Sequence, residues 1–250
     1  MSKIAVITGA TGGIGFAVAK RLGQDGFTVI LNGIEDDMGA KRVEELTAEG
    51  ITAEYYGFDV TKEEEVTKNI TAIGEKYGVI DVLVNNAGGL GGRQRFEEMT
   101  TEFFRFVMAL NLDSAFFASR AAIPFLKKSD NASIINYTSN AGWNAGGPGA
   151  GIYGTSKGAV HVLTRALAKD LAEYGIRANA VSPGTIDTDF HKQIKSTKPE
   201  VFKSWANNIM LGRLGQPEDV AGVVSFLASK DAAFITAETV QVGGGQALGI

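Results

Sequence analysis

A tyrosine and a lysine stand four residues apart in the segment YGTSK (153–157). On a helix, side chains at positions i and i+4 share one face, so the Tyr153 phenol and the Lys157 ammonium would be neighbours. An ordinary tyrosine has a pKa of about 10 and is a poor base at neutral pH, but a nearby cation favours its phenolate. The pair therefore predicts a group that donates or takes a proton near working pH. A surface tyrosine beside a solvated lysine is the alternative for the pair alone.

Two polar residues upstream strengthen the catalytic interpretation. Ser139 ends a predicted strand in INYTS (135–139), where its hydroxyl could hydrogen-bond a substrate carbonyl. Asn111 lies inside the apolar stretch VMALNLDSAFF (107–117), and a buried amide must find partners. It could hold a water behind Lys157 and feed a proton relay. A core amide with a purely structural role is the alternative for Asn111.

A glycine-rich loop, TGATGGIG (8–15), follows the first predicted strand and opens the first predicted helix. Gly9, Gly13 and Gly15 have the spacing G-x-x-x-G-x-G. Glycine lets the backbone turn tightly and approach a pyrophosphate, and the helix N-terminus adds a favourable dipole for the anion. The placement therefore predicts a dinucleotide site, with a turn of packing value only as the alternative.

The segment after the second strand indicates which dinucleotide fits. A ribose 2′-phosphate needs an arginine or lysine there, but NGIEDD (32–37) contains no cation, and Thr11 and Gly12 in the glycine loop are neutral. Glu35 and Asp36 should repel a phosphate. Gly33 occupies the strand end where an aspartate would favour NAD. We therefore expect NAD to be preferred over NADP.

Short apolar, β-branched runs alternate with helical stretches along the chain and would position these residues. The predicted strands span 3–8, 28–31, 51–60, 81–88, 132–139, 176–184 and 237–245. The predicted helices lie near 14–25, 36–50, 61–78, 101–127, 151–174 and 217–228. The third helix has Thr61 as its expected N-cap and Glu64 completing a capping box. Strands with continuous rather than alternating apolar residues predict an α/β fold, a doubly wound parallel sheet with helices on both faces.

No linker, repeat or second core is visible, so residues 1–250 are expected to form a single dinucleotide-binding and catalytic domain. The stretch 185–213 is the one segment that does not resemble a plain strand or core helix. It follows the carboxyl end of a strand, where ligands bind in open α/β sheets. We call it the lid segment, because we expect it to cover the site; a surface excursion without function is the alternative.

Composition excludes several other classes of function. The chain of 250 residues has no cysteine, which excludes a thiol nucleophile or thiolate metal site, and its two histidines are too few for a histidine cluster. The net charge is −4, so the chain lacks the excess of basic residues that is typical of nucleic-acid-binding proteins. The apolar N-terminal run is too short for a signal sequence or a membrane span. We expect a soluble cytoplasmic protein with no metal, nucleic-acid or membrane partner.

Taken together, the motifs resemble those of the short-chain dehydrogenase/reductase family over essentially the whole chain. They are TGATGGIG (8–15), DV (59–60), NNAG (85–88), Asn111, Ser139, YGTSK (153–157) and NAVSPGTIDT (179–188). The resemblance implies a Rossmann-type fold, an NAD or NADP cofactor, an Asn111–Ser139–Tyr153–Lys157 tetrad, and a homotetramer or dimer built partly on the helices near 101–127 and 151–174. The residues it implies for the cofactor are Gly9, Thr11, Gly12, Gly13, Ile14, Gly15, Asn32, Ile34, Glu35, Asp59, Val60, Asn86, Ala87, Gly88, Tyr153, Lys157, Pro183, Gly184, Ile186 and Thr188, with Asn86 also bracing the sheet.

The implied activity is hydride transfer between a nicotinamide cofactor and a carbonyl or secondary alcohol. Arg93 and Arg95 follow the fourth strand, and arginine suits carboxylate recognition. With Trp143 and His191 near the expected mouth, they predict a small polar substrate such as a keto-sugar acid or hydroxy acid. Surface or subunit salt bridges are the alternative for both arginines. A 3-oxoacyl-type or other ketone reductase, a non-catalytic nucleotide sensor, and an epimerase or dehydratase are the alternative functions.

Overall fold

A computed structural model describes residues 3–246, apart from the side chain of Gln193. The ends of the predicted domain, residues 1–2 and 247–250, lie outside the described residues. Seven parallel strands form one sheet in the order β3-β2-β1-β4-β5-β6-β7. They are β1 Lys3–Ile7, β2 Phe27–Gly33, β3 Ala53–Gly57, β4 Val82–Asn85, β5 Ser133–Tyr137, β6 Arg177–Pro183 and β7 Thr239–Val242.

Helices cover both faces of this sheet, which confirms the doubly wound α/β architecture. They are α1 Gly13–Gln24, α2 Asp36–Ala48, α3 Glu63–Tyr77, α4 Thr101–Met108, α5 Ser114–Leu126, α6 Ala141–Asn144, α7 Gly151–Leu171, α8 Lys192–Thr197, α9 Pro199–Ser204 and α10 Pro217–Ala228. Apolar residues of α1, α2 and α10 form a buried cluster on one face, and those of α3, α5 and α7 form another on the opposite face. Strands such as β1, buried on both sides, therefore carry continuous apolar runs.

The chain order creates a crevice at the carboxyl edge of the sheet. Strands β1, β2 and β3 proceed toward one edge, and β4 then returns to pair with β1 on its other side. The loops that follow β1 and β4 consequently diverge at this point, which is where open α/β sheets bind ligands. The glycine loop follows β1, and residues 86–89 follow β4.

The third helix does not begin as predicted. Its N-cap is Lys62, with no side-chain cap, and the expected box from Thr61 and Glu64 is absent. The Thr61 hydroxyl instead donates a hydrogen bond to the Asp59 carboxylate at 2.7 Å. The Asp59 backbone N–H donates to the Glu65 carboxylate at 2.9 Å. The local turn at Asp59 thus competes successfully for the groups that would have capped the helix.

The helix expected near 101–127 is interrupted by a π-helical turn, Ala109–Asp113, between α4 and α5. Such single turns are frequent at functional sites, and this one contains Asn111. Within the combined helix Thr101–Leu126, a window of 18 residues has a mean hydropathy of 1.2, and the helix meets a length and composition criterion for a membrane span. This is weak evidence, because core helices meet the same criterion, and this one packs against α3 and α7.

The lid segment folds into short helical pieces. Helices α8 and α9 lie between two 3₁₀ turns, Asp189–His191 and Trp205–Asn208. Its first residues are tied to the chain beyond its last ones, because Asp187 N–H donates to the Gly215 carbonyl at 2.8 Å and Gly215 N–H donates to Thr185 at 3.0 Å. An aromatic cluster of His191, Phe202 and Trp205 forms its interior.

Candidate active site

A cavity of about 720 Å³ opens at the carboxyl edge of the sheet. The glycine loop, the loops after β4, β5 and β6, the start of α7 and the lid segment all contribute to its wall. Three of the four proposed catalytic residues, Ser139, Tyr153 and Lys157, line it together. The structure thus brings the proton-transfer candidates and the glycine loop into one cavity.

Tyr153 lies on the first turns of α7, where burial of its phenol raises its pKa above the usual 10.0. A hydrogen bond with Ser139 lowers the pKa in part. In the chain by itself burial dominates, and the Lys157 Nζ lies 5.9 Å from the Tyr153 ring centroid. The expected stabilisation of the phenolate by Lys157 together with a bound nicotinamide stays a prediction. Tyr153 is a protonated donor at neutral pH in this environment.

Lys157 is a buried cation, with a relative exposure of 4%. Its Nζ donates to the carbonyl of Tyr137 at 2.9 Å, and burial lowers its pKa from 10.5 to about 8. Desolvation disfavours the charged form, and a single carbonyl acceptor compensates only in part. Lys157 is thus a charge that an electron-rich ligand would stabilise.

Asn111 is held by backbone groups and does not line the cavity. Its Nδ2 donates to the Gly89 and Val107 carbonyls at 2.8 and 2.9 Å, and its Oδ1 accepts from Gly89 N–H at 3.0 Å. Both N–H donors are engaged by backbone carbonyls, which gives the side chain a structural role, and the expected water-holding relay stays a prediction. A Cβ at Gly88 would lie 2.7 Å from Asn111 Oδ1 and 2.9 Å from the Lys157 Nζ, so both side chains pack closely against Gly88.

The glycine loop has the geometry of an anion cradle. Gly9 and Gly13 have φ values of 63° and 53°, which favour glycine, and α1 begins at Gly13 with no side-chain cap on its first N–H groups. A Cβ built at Gly12 meets nothing within 4 Å, so that side of the loop is open. Asn86 was expected to brace the sheet; its Nδ2 donates to the Thr8 and Gly9 carbonyls at 2.9 Å each and so braces the loop that follows β1. These residues fit the pyrophosphate of a dinucleotide.

Some of the residues expected to hold the cofactor lie outside the cavity wall. They are Thr11, Asn32, Ile34, Glu35, Asp59, Val60 and Ala87. Asn32 is buried and connects strands, its Nδ2 donating to the Phe58 carbonyl at 2.9 Å, and the Asp59 carboxylate is engaged by Thr61. Ile34 is exposed. At the opposite end, Pro183, Gly184, Ile186 and Thr188 all line the cavity.

The structure also places a cation at the adenosine end that the sequence reasoning missed. Arg42 extends from α2 and its Nε donates to the Thr11 carbonyl in the glycine loop at 2.9 Å. Its NH1 forms an ion pair with Glu45 at 2.6 Å. The absence of a cation from residues 32–37 therefore does not leave this end without one, because Arg42 reaches it from the helix rather than from directly after the strand. Its helical position gave no sequence signal.

The predicted substrate residues separate into two pairs. Arg93 and His191 line the cavity, whereas Arg95 and Trp143 do not. Arg93 NH1 donates to the Pro148 carbonyl at 3.0 Å, which fixes its guanidinium. Arg95 is an exposed residue before a 3₁₀ turn, and Trp143 packs edge-on against His161 at 4.7 Å with half its surface exposed. The sequence positions of Arg95 and Trp143 correctly predicted segments near the cavity, but the two side chains do not line it.

Four amide side chains in the wall were not predicted: Asn140, Asn144, Asn208 and Gln246. Burial lowers the pKa of His191 below 6.5, so this ring is a neutral hydrogen-bonding group at neutral pH. The wall thus combines the charged side chains of Arg93, Lys157 and Asp189 with several uncharged polar groups. No group of three or more His, Asp or Glu side chains that could hold a metal occurs within residues 3–246.

A profile described as Enoyl-(Acyl carrier protein) reductase matches residues 9–247. Among curated proteins, Dehydrogenase/reductase SDR family member 4 of Homo sapiens is 35% identical over 244 residues, covering 98% of this chain and 87% of the human protein. The chain belongs to the short-chain dehydrogenase/reductase family. Its Rossmann-like fold and its identity as an oxidoreductase of that family follow from this membership.

Two further members of the short-chain dehydrogenase/reductase family are similar over nearly the whole chain. Diacetyl reductase [(S)-acetoin forming] of Staphylococcus aureus is 37% identical over 253 residues, covering 98% of this chain and 97% of that protein. A candidate NAD(P)-dependent gluconate 5-dehydrogenase from Beutenbergia cavernae, solved with NADP at low occupancy, is 32% identical with a TM-score of 0.91, covering 98% of this chain and 96% of that one.

Proposed function

We propose that this chain transfers a hydride between a nicotinamide dinucleotide and a small polar carbonyl or alcohol, such as a keto-sugar acid or hydroxy acid. The observation that carries the proposal is the convergence of Ser139, Tyr153 and Lys157 on the cavity that the open glycine loop also lines. In this proposal residues 1–250 act as one catalytic domain, and the lid segment covers the substrate.

The chain's own groups would handle the proton and the orientation of the reactants. When bound, a reduced nicotinamide supplies the hydride that adds to the substrate carbonyl carbon. Tyr153, protonated because its pKa is raised, donates its proton to the carbonyl oxygen, and the Ser139 hydroxyl donates a hydrogen bond to the same oxygen. Lys157 would hold ribose hydroxyls and place a positive charge beside the phenol, which lowers the tyrosine pKa when the reaction runs toward oxidation. Asn111 contributes by holding the backbone at Gly89.

The cofactor half of the proposal is a preference for NAD over NADP. Glu35 and Asp36 place negative charge after β2, and Glu45 pairs with Arg42, a cation that contacts the glycine loop. A guanidinium already engaged by a carboxylate and a carbonyl is a weaker partner for a 2′-phosphate. A relative described as NAD(P)-dependent was solved with NADP, and in this proposal the balance between the two nucleotides in this chain depends on these local charges.

The substrate half depends on Arg93. Its guanidinium lines the cavity and is fixed by Pro148, which leaves further N–H donors for a carboxylate. The surrounding amides and the neutral His191 suit hydroxyl groups. Similarity to a candidate gluconate 5-dehydrogenase agrees with a sugar-acid substrate. Similarity to a diacetyl reductase favours a second candidate function, reduction of an uncharged short ketone.

The test is a screen of sugar acids, hydroxy acids and simple ketones with NADH, NADPH and their oxidised forms, followed by absorbance of the reduced ring. Tyr153→Phe is expected to lower kcat by at least about 100-fold, because it removes the donated proton, while the fluorescence-measured Kd for NADH stays within about twofold. Tyr174→Phe, an exposed tyrosine of the short turn after α7, is the matched control. Turnover of Tyr153→Phe near the wild-type rate would refute the mechanism. Cofactor binding without turnover by the wild type would favour the nucleotide-sensor function.

Assembly and location form part of the same proposal. We expect a cytoplasmic homotetramer, with a dimer as the alternative, that covers apolar side chains exposed on α4, α5 and α7. These are Phe104, Phe106, Phe116 and Val162. Light scattering of the purified protein measures the mass of the assembly, and cell fractionation tests the location.

A further inference from the structure

The turn that follows the last strand closes back onto the candidate site. Gln246 N–H donates to the Gly243 carbonyl at 2.9 Å, and Gly244 and Gly245 have φ values of 59° and 86°. Only glycine adopts such values readily, so this sequence favours a tight turn. We call residues 243–246 the C-terminal turn. Its last residue, Gln246, lines the cavity.

The Gln246 side chain is attached to the first residue of the lid segment. Its Oε1 accepts from the Thr185 backbone N–H at 2.8 Å and lies 3.2 Å from the Thr185 hydroxyl, while its Nε2 lies 2.9 Å from that hydroxyl. A Cβ at the neighbouring Gly184 would lie only 2.7 Å from Gln246 Oε1. One amide thus engages both the backbone and the side chain of Thr185.

The same oxygen also reaches the residue after Ser139. Gln246 Oε1 accepts from Asn140 Nδ2 at 3.3 Å, and Asn140 N–H donates to the Pro183 carbonyl at 3.2 Å. Asn140 Oδ1 has no hydrogen-bond partner within the part of the chain that the structure describes. The Asn140 amide nitrogen is turned toward Gln246, and the Asn140 oxygen is buried.

The C-terminal turn also contacts the last residues of the lid segment. Leu211 N–H donates to the Gly244 carbonyl at 3.1 Å. A Cβ at Gly244 would lie 2.7 Å from Ile209 Cγ2, and one at Gly245 would lie 2.6 Å from the Met210 Sδ. Both ends of the lid segment therefore meet at this turn.

We propose that Gln246 is a positioning residue that holds Thr185, and with it the start of the lid segment, in a fixed place beside Asn140 and Ser139. The turn that carries Gln246 fixes the last residues of the lid segment at the same time. This inference rests on the proposed function where it concerns turnover, but the hydrogen bonds on which it depends belong to the chain alone.

The first test measures hydrogen exchange of the protein without cofactor, using the peptide that contains Thr185. Gln246→Met keeps the side-chain length and removes both polar atoms, and Gln246→Asn withdraws the amide by one methylene. Each is expected to speed exchange of the Thr185 amide about tenfold, because that N–H loses its acceptor. Gln246→Glu keeps the acceptor and is expected to preserve protection. Gln24→Met, at the exposed end of α1, is the matched control.

The second test separates positioning from general stability. Gln246→Met is expected to raise the substrate KM about three- to tenfold, with kcat and the NADH Kd within about twofold of wild type. Unchanged Thr185 exchange in Gln246→Met, or an equal exchange defect in Gln246→Glu, would overturn the proposal. If the wild type turns over no carbonyl, the proposed function fails, while the exchange result still decides the role of Gln246.

Discussion

Lys157→Met tests the electrostatics of the site without any substrate. In the wild type, burial lowers the Lys157 pKa from 10.5 to about 8, so the folded chain releases this proton before the unfolded chain does. At pH values between these two pKa values the unfolded state binds more protons than the folded state, so the free energy of unfolding rises with pH. Proton binding by Lys157 in the folded and unfolded states, with these two pKa values, raises the free energy of unfolding by about 2 kcal/mol between pH 7 and pH 9.5. Methionine has no such proton, so the gain is absent in Lys157→Met.

The assay is denaturant unfolding of both proteins at several pH values, without nucleotide. The wild-type free energy of unfolding minus that of Lys157→Met is expected to rise by about 2 kcal/mol from pH 7 to pH 9.5. Taking the difference cancels the titration of other groups. Lys169→Met, an exposed position on the same helix, controls for the loss of a lysine in general. A difference that stays constant across this range would show that the Lys157 ammonium is not destabilised by burial, and the electrostatic account of the site would be refuted.

Two further substitutions test the substrate and cofactor ends of the cavity. Arg93→Met is expected to raise KM for a carboxylate substrate by about tenfold or more while leaving KM for an uncharged ketone unchanged. Arg95→Met is the control. Equal effects of both variants in steady-state kinetics would exclude a carboxylate contact at Arg93. Glu45→Gln should lower the fluorescence-measured Kd for NADPH by about threefold and leave that for NADH unchanged, because it frees Arg42 for a 2′-phosphate. Glu44→Gln, at the exposed neighbouring carboxylate, is its control, and an unchanged NADPH Kd would argue against a role for Arg42.

The repeated alternation of strand and helix made the fold predictable from sequence. Each of the seven predicted strands corresponds to an observed one, since a buried parallel strand requires a continuous apolar run. Most predicted strands were too long at their carboxyl ends: the fourth was expected over 81–88 but ends at Asn85. The residues beyond it lie in the crevice, where loop backbone extends like a strand but has no neighbour to pair with.

The candidate site was predictable only where a motif specifies its own geometry. The glycine loop and the Tyr153–Lys157 pair are local patterns, and both lie where they were expected. Gln246 is 61 positions from Thr185 and 106 from Asn140, so only the folded chain brings these groups together. The direction of the Tyr153 pKa shift could not be obtained from spacing, because it is set by burial, which only the folded chain creates.

The π-helical turn at Ala109–Asp113 has a consequence for how the two halves of its helix are oriented. Successive residues of an α-helix are rotated by about 100° around the axis, so a turn with one extra residue advances the phase of everything after it. Helix α4 can therefore direct its side chains toward α7 while α5 directs its own toward α3. Deleting a single residue here would restore regular winding and turn one half of the helix away from its neighbour, even though no apolar residue had been lost.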